Sequence, residues 1–253
     1  MSAGAALGVD LALRDWRDCG LALVRWSGER WTGWRTRWAR PRGAPSAEAL
    51  TDYVDRLARA HAVRAVGLDG PLGWRDPATP STAPGVGRRA DFAVRAQAKV
   101  GVWGQSYPNT QLRWVELCVE VFSGLLAREG VVLANARPEE LPPLPPGGYY
   151  LLETFPTATW RASGLTPLPS KRRCASVGVA PWAASLGATY RLPQRRACAH
   201  DDLQATVAAL AAAAAAGGPA RPCAHGVPAR IVRPGGRPEH RVEGLIWTAS
   251  PGG

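Results

Sequence analysis

Four acidic residues stand where the pattern of the chain places the ends of regular elements. Asp10 interrupts the apolar run 6–12 (ALGVDLA), Asp69 closes a short run within 64–74 (RAVGLDGPLGW), Glu153 closes the stretch 149–154, and Asp201 opens a helical stretch. Carboxylates gathered in this way suit a hard divalent cation, because oxygen ligands match the ion and its charge relieves their mutual repulsion. Two such ions roughly 3.5–4 Å apart activate a water and stabilise the leaving oxygen in phosphodiester cleavage. Each acid alone has a plainer use: Asp201 as an acid favoured at a helix N-terminus, Asp69 as the residue that fixes the turn before Pro71. Their coincidence points to a shared site with Asp10, Asp69 and Asp201 as ligands of Mg²⁺ or Mn²⁺ and Glu153 beside them in the catalytic group.

The elements that must position these acids follow from periodicity. The run 6–12 suits a central strand buried on both faces, and 20–26 and 30–38 read as the next two strands, joined by a turn at Ser27-Gly28, so an antiparallel meander is expected. In 31–38 the two-residue period separates a face with Thr32, Trp34, Thr36 and Trp38 from one with Trp31, Gly33, Arg35 and Arg37. The favoured reading packs the tryptophans on the core and leaves the arginines in solvent; the other has them stack bases and neutralise phosphates.

Ser46 can cap a helix in which Leu50, Val54 and Leu57 recur at helical spacing, after which Val66 and Leu68 form a short strand ending at Asp69. Strand, helix and strand in that order predict a parallel pair, which brings Asp69 beside Asp10.

Residues 75–108 show no sustained period apart from a short helix near 88–97, and read as an irregular insert of the kind that forms a binding loop. A longer helix spans 110–129, and 136–148 is a Pro-rich loop. A less regular helical stretch at about 180–190, a helix from Asp201 and a short final strand at 241–247 complete the order. No repeat or linker divides the chain, so a single domain over 1–253 is expected.

The chain has 31 Lys and Arg against 20 Asp and Glu, a net charge of +11, which favours polyanionic partners such as nucleic acid. Lys171, Arg172 and Arg173 form a basic segment that could contact phosphates, and Arg88 and Arg89 a second pair. The first residues lack a basic segment ahead of the apolar stretch, and the Ala-rich run 205–216 is shorter than a membrane span, so a cytoplasmic protein without a membrane segment is expected. Five cysteines are widely spaced and odd in number, which fits thiols better than a disulfide framework. Cys198-Ala-His200 and Cys223-Ala-His225 offer only a weak zinc pattern, the second pair falling in what reads as a loop.

The series GVD at 8–10, GLDGPLGW at 67–74, RRAD at 88–91, LETFPTATW at 152–160 and HDDLQATVAAL at 200–210 resembles the predicted RNase H-like nucleases, a family of unknown function, in order from about residue 7 to residue 246. The resemblance implies an RNase H-like α/β fold, with three antiparallel strands and then parallel strands flanked by helices. It also implies a divalent-metal acidic site and nucleic-acid substrates. One motif departs: the family carries D-x-x-D-A at the start of the last helix, and with Asp201 as the first acid Gln204 stands at the second. Asp202 does not replace it, since neighbouring residues diverge by about 100° around a helix.

Two classes of function therefore stand: a metal-dependent nuclease, or a nucleic-acid- or protein-binding module that has lost efficient catalysis on the same fold. A G-x-x-x-x-G-K-[ST] loop and a G-x-S-x-G elbow are both missing from the sequence, which removes the corresponding nucleotide-binding and hydrolase readings.

Overall fold

A computed structural model of the chain describes residues 3–79, 86–193, 198–235 and 238–252. The first three strands, β1 (Gly4–Asp10), β2 (Gly20–Ser27) and β3 (Arg30–Arg35), form the expected antiparallel meander. Helix α1 (Ala47–Ala60) starts where Ser46 Oγ accepts from the Ala49 N–H at 3.1 Å, and it buries Leu50, Tyr53, Val54 and Ala58. It leads into β4 (Ala65–Asp69), which lies parallel to β1.

The 75–108 stretch contains more regular structure than its sequence suggests. A short α2 (Arg89–Ala93) is followed by an antiparallel pair, β5 (Lys99–Val100) and β6 (Ser106–Tyr107); residues 80–85 lie outside the described part. Then come α3 (Leu112–Leu126), β7 (Val131–Leu133), the Pro-rich connection with one 3₁₀ turn at Pro138–Glu140, and β8 (Tyr149–Thr154). Three short helices follow: α4 (Pro156–Ala162), α5 (Lys171–Val177) and α6 (Ala180–Tyr190). The Ala-rich α7 (His200–Ala215) and the strands β9 (Arg221–Val232) and β10 (His240–Ser250) close the chain.

Among the described residues eight strands make one mixed sheet, in the order β3-β2-β1-β4-β8-β10-β9 with β7 also paired to β8. β1, β4, β8 and β10 run parallel, and β2, β3 and β9 extend the sheet antiparallel. This is the mixed α/β arrangement expected from the sequence, three antiparallel strands and then parallel strands flanked by helices. Two differences concern extent. β9 occupies the Gly/Pro/Ala-rich stretch read as a loop, because its partner β10 runs from His240 to Ser250 and supplies a ladder along its length. β3 ends at Arg35, earlier than the alternation suggests.

Each sheet face has its own core. On one, Leu7, Val9, Val66 and Leu68 meet Leu50 and Val54 of α1 and Val121 and Phe122 of α3. On the other, α7 lies between the sheet and an outer layer that includes Trp160, Leu186 and Tyr190. A helix buried all round must be apolar all round, which accounts for its run of alanines. Small side chains also let it approach the sheet closely. A Cβ on Gly8 would fall 1.9 Å from the Ala205 carbonyl oxygen, and one on Gly20 1.9 Å from that of Asp201, so only glycine admits the helix at these points. Both tryptophans of β3 meet this core: Trp34 is buried, and its Nε1 donates to Thr206 Oγ1 at 2.9 Å, while Trp31 packs against it partly buried. Arg35 points outward and stacks over the Trp38 ring, 4.0 Å from its centroid.

Candidate functional site

Asp10 and Asp69 end adjacent parallel strands in direct register, as the strand–helix–strand reading predicts. Neighbouring strands lie about 4.8 Å apart, so the two carboxylates emerge side by side on one face. Neither makes a hydrogen bond or ion pair with another described residue. Burial pushes Asp10 well above the ordinary carboxylate range, with the charges of Asp69 and Asp201 adding to the effect. Burial, then the charge of Glu153, pushes Asp69 up to about 7. Two half-buried acids without a partner hold negative charge at a cost, and a cation placed between them lowers it.

Asp201 stands at the start of α7, close enough to Asp10 to raise it, but its carboxylate is already engaged. Lys171 Nζ, at the start of α5, donates to Asp201 at 2.5 Å and to Asp18 at 2.7 Å. His200 Nδ1 lies 2.9 Å from the other Asp201 oxygen, and its Nε2 lies 2.8 Å from the Pro169 carbonyl. Both ring nitrogens thus face acceptors, an arrangement that favours the imidazolium; the His200 pKa is raised even though burial opposes it. Burial alone would raise Asp201, yet His200 and Lys171 hold it below the usual carboxylate range. Asp202 faces elsewhere and accepts from the Leu21 N–H at 3.1 Å and from Arg40, which ties α7 to β2. Gln204 accepts from Trp160 Nε1 at 3.0 Å. Asp18, His200 and Arg40 were not read as part of this region; the adjacency of His200 to Asp201 was the one available signal.

Glu153 and Arg88 depart from expectation together. Glu153 is in register with Leu68, whereas Asp69 is in register with Thr154, so strand alternation sends Glu153 out of the opposite sheet face from Asp10 and Asp69. There Arg88 Nη1 and Nη2 donate to its two oxygens at 2.7 and 2.6 Å, and the Leu72 N–H donates to it at 2.7 Å. Arg88 also binds Asp91 at 2.8 Å and is only 1% exposed, so it is a buried structural cation and not a phosphate contact. Burial opposes its charge, but Asp91 and Glu153 together hold it more firmly protonated than an ordinary arginine. Glu153 accordingly serves the Arg88 network, and its charge reaches Asp69 only through space.

Of the other expected phosphate contacts, Arg89, Arg172 and Arg173 are exposed, and Lys171 bridges the acids described above. The Cys/His pairs do not converge: His225 lies on β9 with its Nε2 3.0 Å from Thr248 Oγ1, while His200 is held by Asp201 and Pro169. Among the described residues no group of three or more His, Cys, Asp or Glu side chains is placed to hold a metal ion. The Asp10–Asp69 pair nevertheless has the donor chemistry for Mg²⁺, which keeps several waters and often uses only one or two protein carboxylates, with substrate phosphates completing its shell.

No protein-family model matches this sequence. No curated protein matches it either. Among solved structures, that of Thermus thermophilus RuvC is similar, with a TM-score of 0.38 and 12% sequence identity over 84% of this chain and 96% of that one. No helix among the described residues is long and apolar enough to cross a membrane.

Proposed function

We propose that this protein, read as one RNase H-like domain, is a divalent-metal-dependent phosphodiesterase acting on DNA or RNA. The observation that carries the reading is the pair of unpartnered carboxylates, Asp10 and Asp69, in register on adjacent parallel strands. Asp10 and Asp69 would hold Mg²⁺ or Mn²⁺, which when bound activates a water and stabilises the leaving oxygen of a phosphodiester. Asp201 borders the pair, and Lys171 and His200 fix its carboxylate and temper the local negative charge. Arg172 and Arg173 follow Lys171 on α5, and Arg89 opens α2; their exposed cations and the net charge of +11 suit the backbone of a nucleic acid. The sequence motifs shared with the predicted RNase H-like nucleases agree with this assignment.

A second reading, a binding module with weakened catalysis, is favoured by two particulars. Gln204 occupies the place of an acid and is bound to Trp160, and Asp201 is neutralised by protein cations. Incubation of labelled single-stranded, double-stranded and hybrid oligonucleotides with Mg²⁺ or Mn²⁺ separates the two. Cleavage by the wild type that disappears in Asp10→Asn supports the phosphodiesterase; salt-sensitive binding by both proteins without cleavage supports the module.

A further inference from the structure

A cleft with about 530 Å³ of empty space, open solvent included, lies outside the C-terminal ends of β4 and β8. Asp69 belongs both to its wall and to the acid pair, so the cleft opens at the end of a strand that carries one of the two acids. The remaining wall comes from Arg88 and Asp91 at the start of α2, from the segment around β5, from the start of α3 and from Ile246 of β10.

We propose that this cleft is a nucleobase pocket, which takes one unpaired base of a nucleic-acid strand while the adjoining phosphodiester lies at Asp10 and Asp69. The inference rests on the acid pair being a phosphodiester site, and it adds the form of the substrate. Ligand pockets for flat heteroaromatic groups combine apolar or aromatic walls with a few polar groups that read the ring edge. Here Trp114 and Phe155 are half-buried aromatics on the cleft, and Val115 is apolar wall. Trp114 is held in orientation, because its Nε1 donates to the Leu11 carbonyl at 2.8 Å, next to the end of β1. The polar part is also present. Arg88 lines the cleft, and its Nε is buried without a hydrogen-bond partner although the other two nitrogens of its guanidinium are engaged. Gln111 brings an amide and Lys99 a positive charge.

A base stacked within a duplex cannot enter a recess of this kind; an unpaired or extruded one can. Base–aromatic contact tolerates any base, because every base has a π-face, so the pocket selects for single-strandedness more than for sequence.

The test uses the full chain carrying Asp10→Asn, without metal, and two single-stranded tetranucleotides of equal charge, one with bases and one abasic at every position. The base-bearing strand is expected to bind about tenfold more tightly, the scale of one stacked base. The gap should close in Asp10→Asn with Ala98→Trp, in which an exposed alanine on the cleft is replaced by a ring that fills it, while abasic binding stays the same. Ala96→Phe fills the same space from a neighbouring position and serves if Ala98→Trp does not fold. Equal binding of the two strands, or a gap that survives both fillings, overturns the pocket even where the wild type cleaves nucleic acid. A gap closed by filling, in a protein whose wild type cleaves nothing, retains the pocket and rejects the phosphodiesterase. Binding of neither strand overturns the pocket, while cleavage by the wild type with Mg²⁺ or Mn²⁺ decides the phosphodiesterase separately.

Discussion

The Arg88 guanidinium holds both carboxylate oxygens of Glu153, at 2.7 and 2.6 Å, inside the protein and on the opposite sheet face from Asp10 and Asp69. A buried ion pair contributes little net stability, but breaking one side of it strands a charge in a medium of low dielectric. Arg88→Met should therefore destabilise the fold by about 3–5 kcal/mol in urea unfolding, because it leaves the buried carboxylates of Glu153 and Asp91 without their shared cation. Arg88→Met combined with Glu153→Gln should recover part of that loss, because one of the two stranded carboxylates is then neutral and Asp91 keeps the Arg88 and Val100 N–H donors. A Glu153→Gln protein of normal stability that has lost only cleavage would return Glu153 to the catalytic group.

Asp69 makes stability depend on pH. Its carboxyl is pushed up from the ordinary 3.8 to about 7 by burial and by Glu153. The folded state therefore binds this proton more tightly than the unfolded chain. The resulting stability is fully present below the unfolded value near 3.8 and is lost as pH rises toward 7. Asp69→Asn should remove this dependence and be more stable than the wild type at pH 8, by thermal unfolding, with the difference shrinking toward pH 4. Mg²⁺ at pH 8 should raise the wild-type midpoint and leave Asp69→Asn much less affected, since an ion that binds only the folded state stabilises it by mass action. Equal pH profiles for the two proteins would remove the basis for treating Asp69 as a strained carboxylate.

The acid pair was legible because it depends on local signals. Two apolar runs each end in Asp, and the helix that follows the meander returns the chain so that the second run lies parallel beside the first. The direction of the Glu153 side chain was not legible. It depends on whether β8 aligns Glu153 or Thr154 with Asp69, and a one-residue change of register reverses the face. Arg88 escaped for a similar reason: an arginine in a Gly- and Pro-rich stretch looks solvated until the partners that bury it, Asp91 and a strand 65 residues away, are in place. β9 was hidden by Pro222, Pro228 and Gly226, which a sheet tolerates at an edge strand.

Lys171 presents a distinct case, since its side chain is 56% exposed and its two ion pairs lie at the surface end of the site. Exposed pairs contribute at most about 1 kcal/mol, so Lys171→Met should shift the thermal midpoint by no more than about 4 °C. Its electrostatic effect on the acids should be larger. Lys171 favours the charged form of Asp10 and occupies an Asp201 oxygen, so removing it should tighten Mn²⁺ binding, by up to about tenfold in calorimetric titration. Nucleic-acid affinity should move in the opposite direction if the amine also meets phosphate. Unchanged Mn²⁺ affinity would place the cation elsewhere than beside Asp10 and Asp201.

Gln204 tests whether the site can be restored to four carboxylates. The side chain lies one helical turn beyond Asp201, but its oxygen accepts from the fully buried Trp160 indole at 3.0 Å. A glutamate there would keep the same hydrogen bond, strengthened by its charge, and would stay directed toward Trp160. Gln204→Glu should therefore leave Mn²⁺ affinity and cleavage unchanged, whereas Gln204→Leu should cost about 1–3 kcal/mol in unfolding by leaving the indole N–H without a partner. Should Gln204→Glu instead confer tight metal binding or cleavage on a protein that otherwise lacks them, its side chain must leave Trp160 and reach Asp10. The wild-type protein would then be a binding module that the loss of one carboxylate separates from a nuclease.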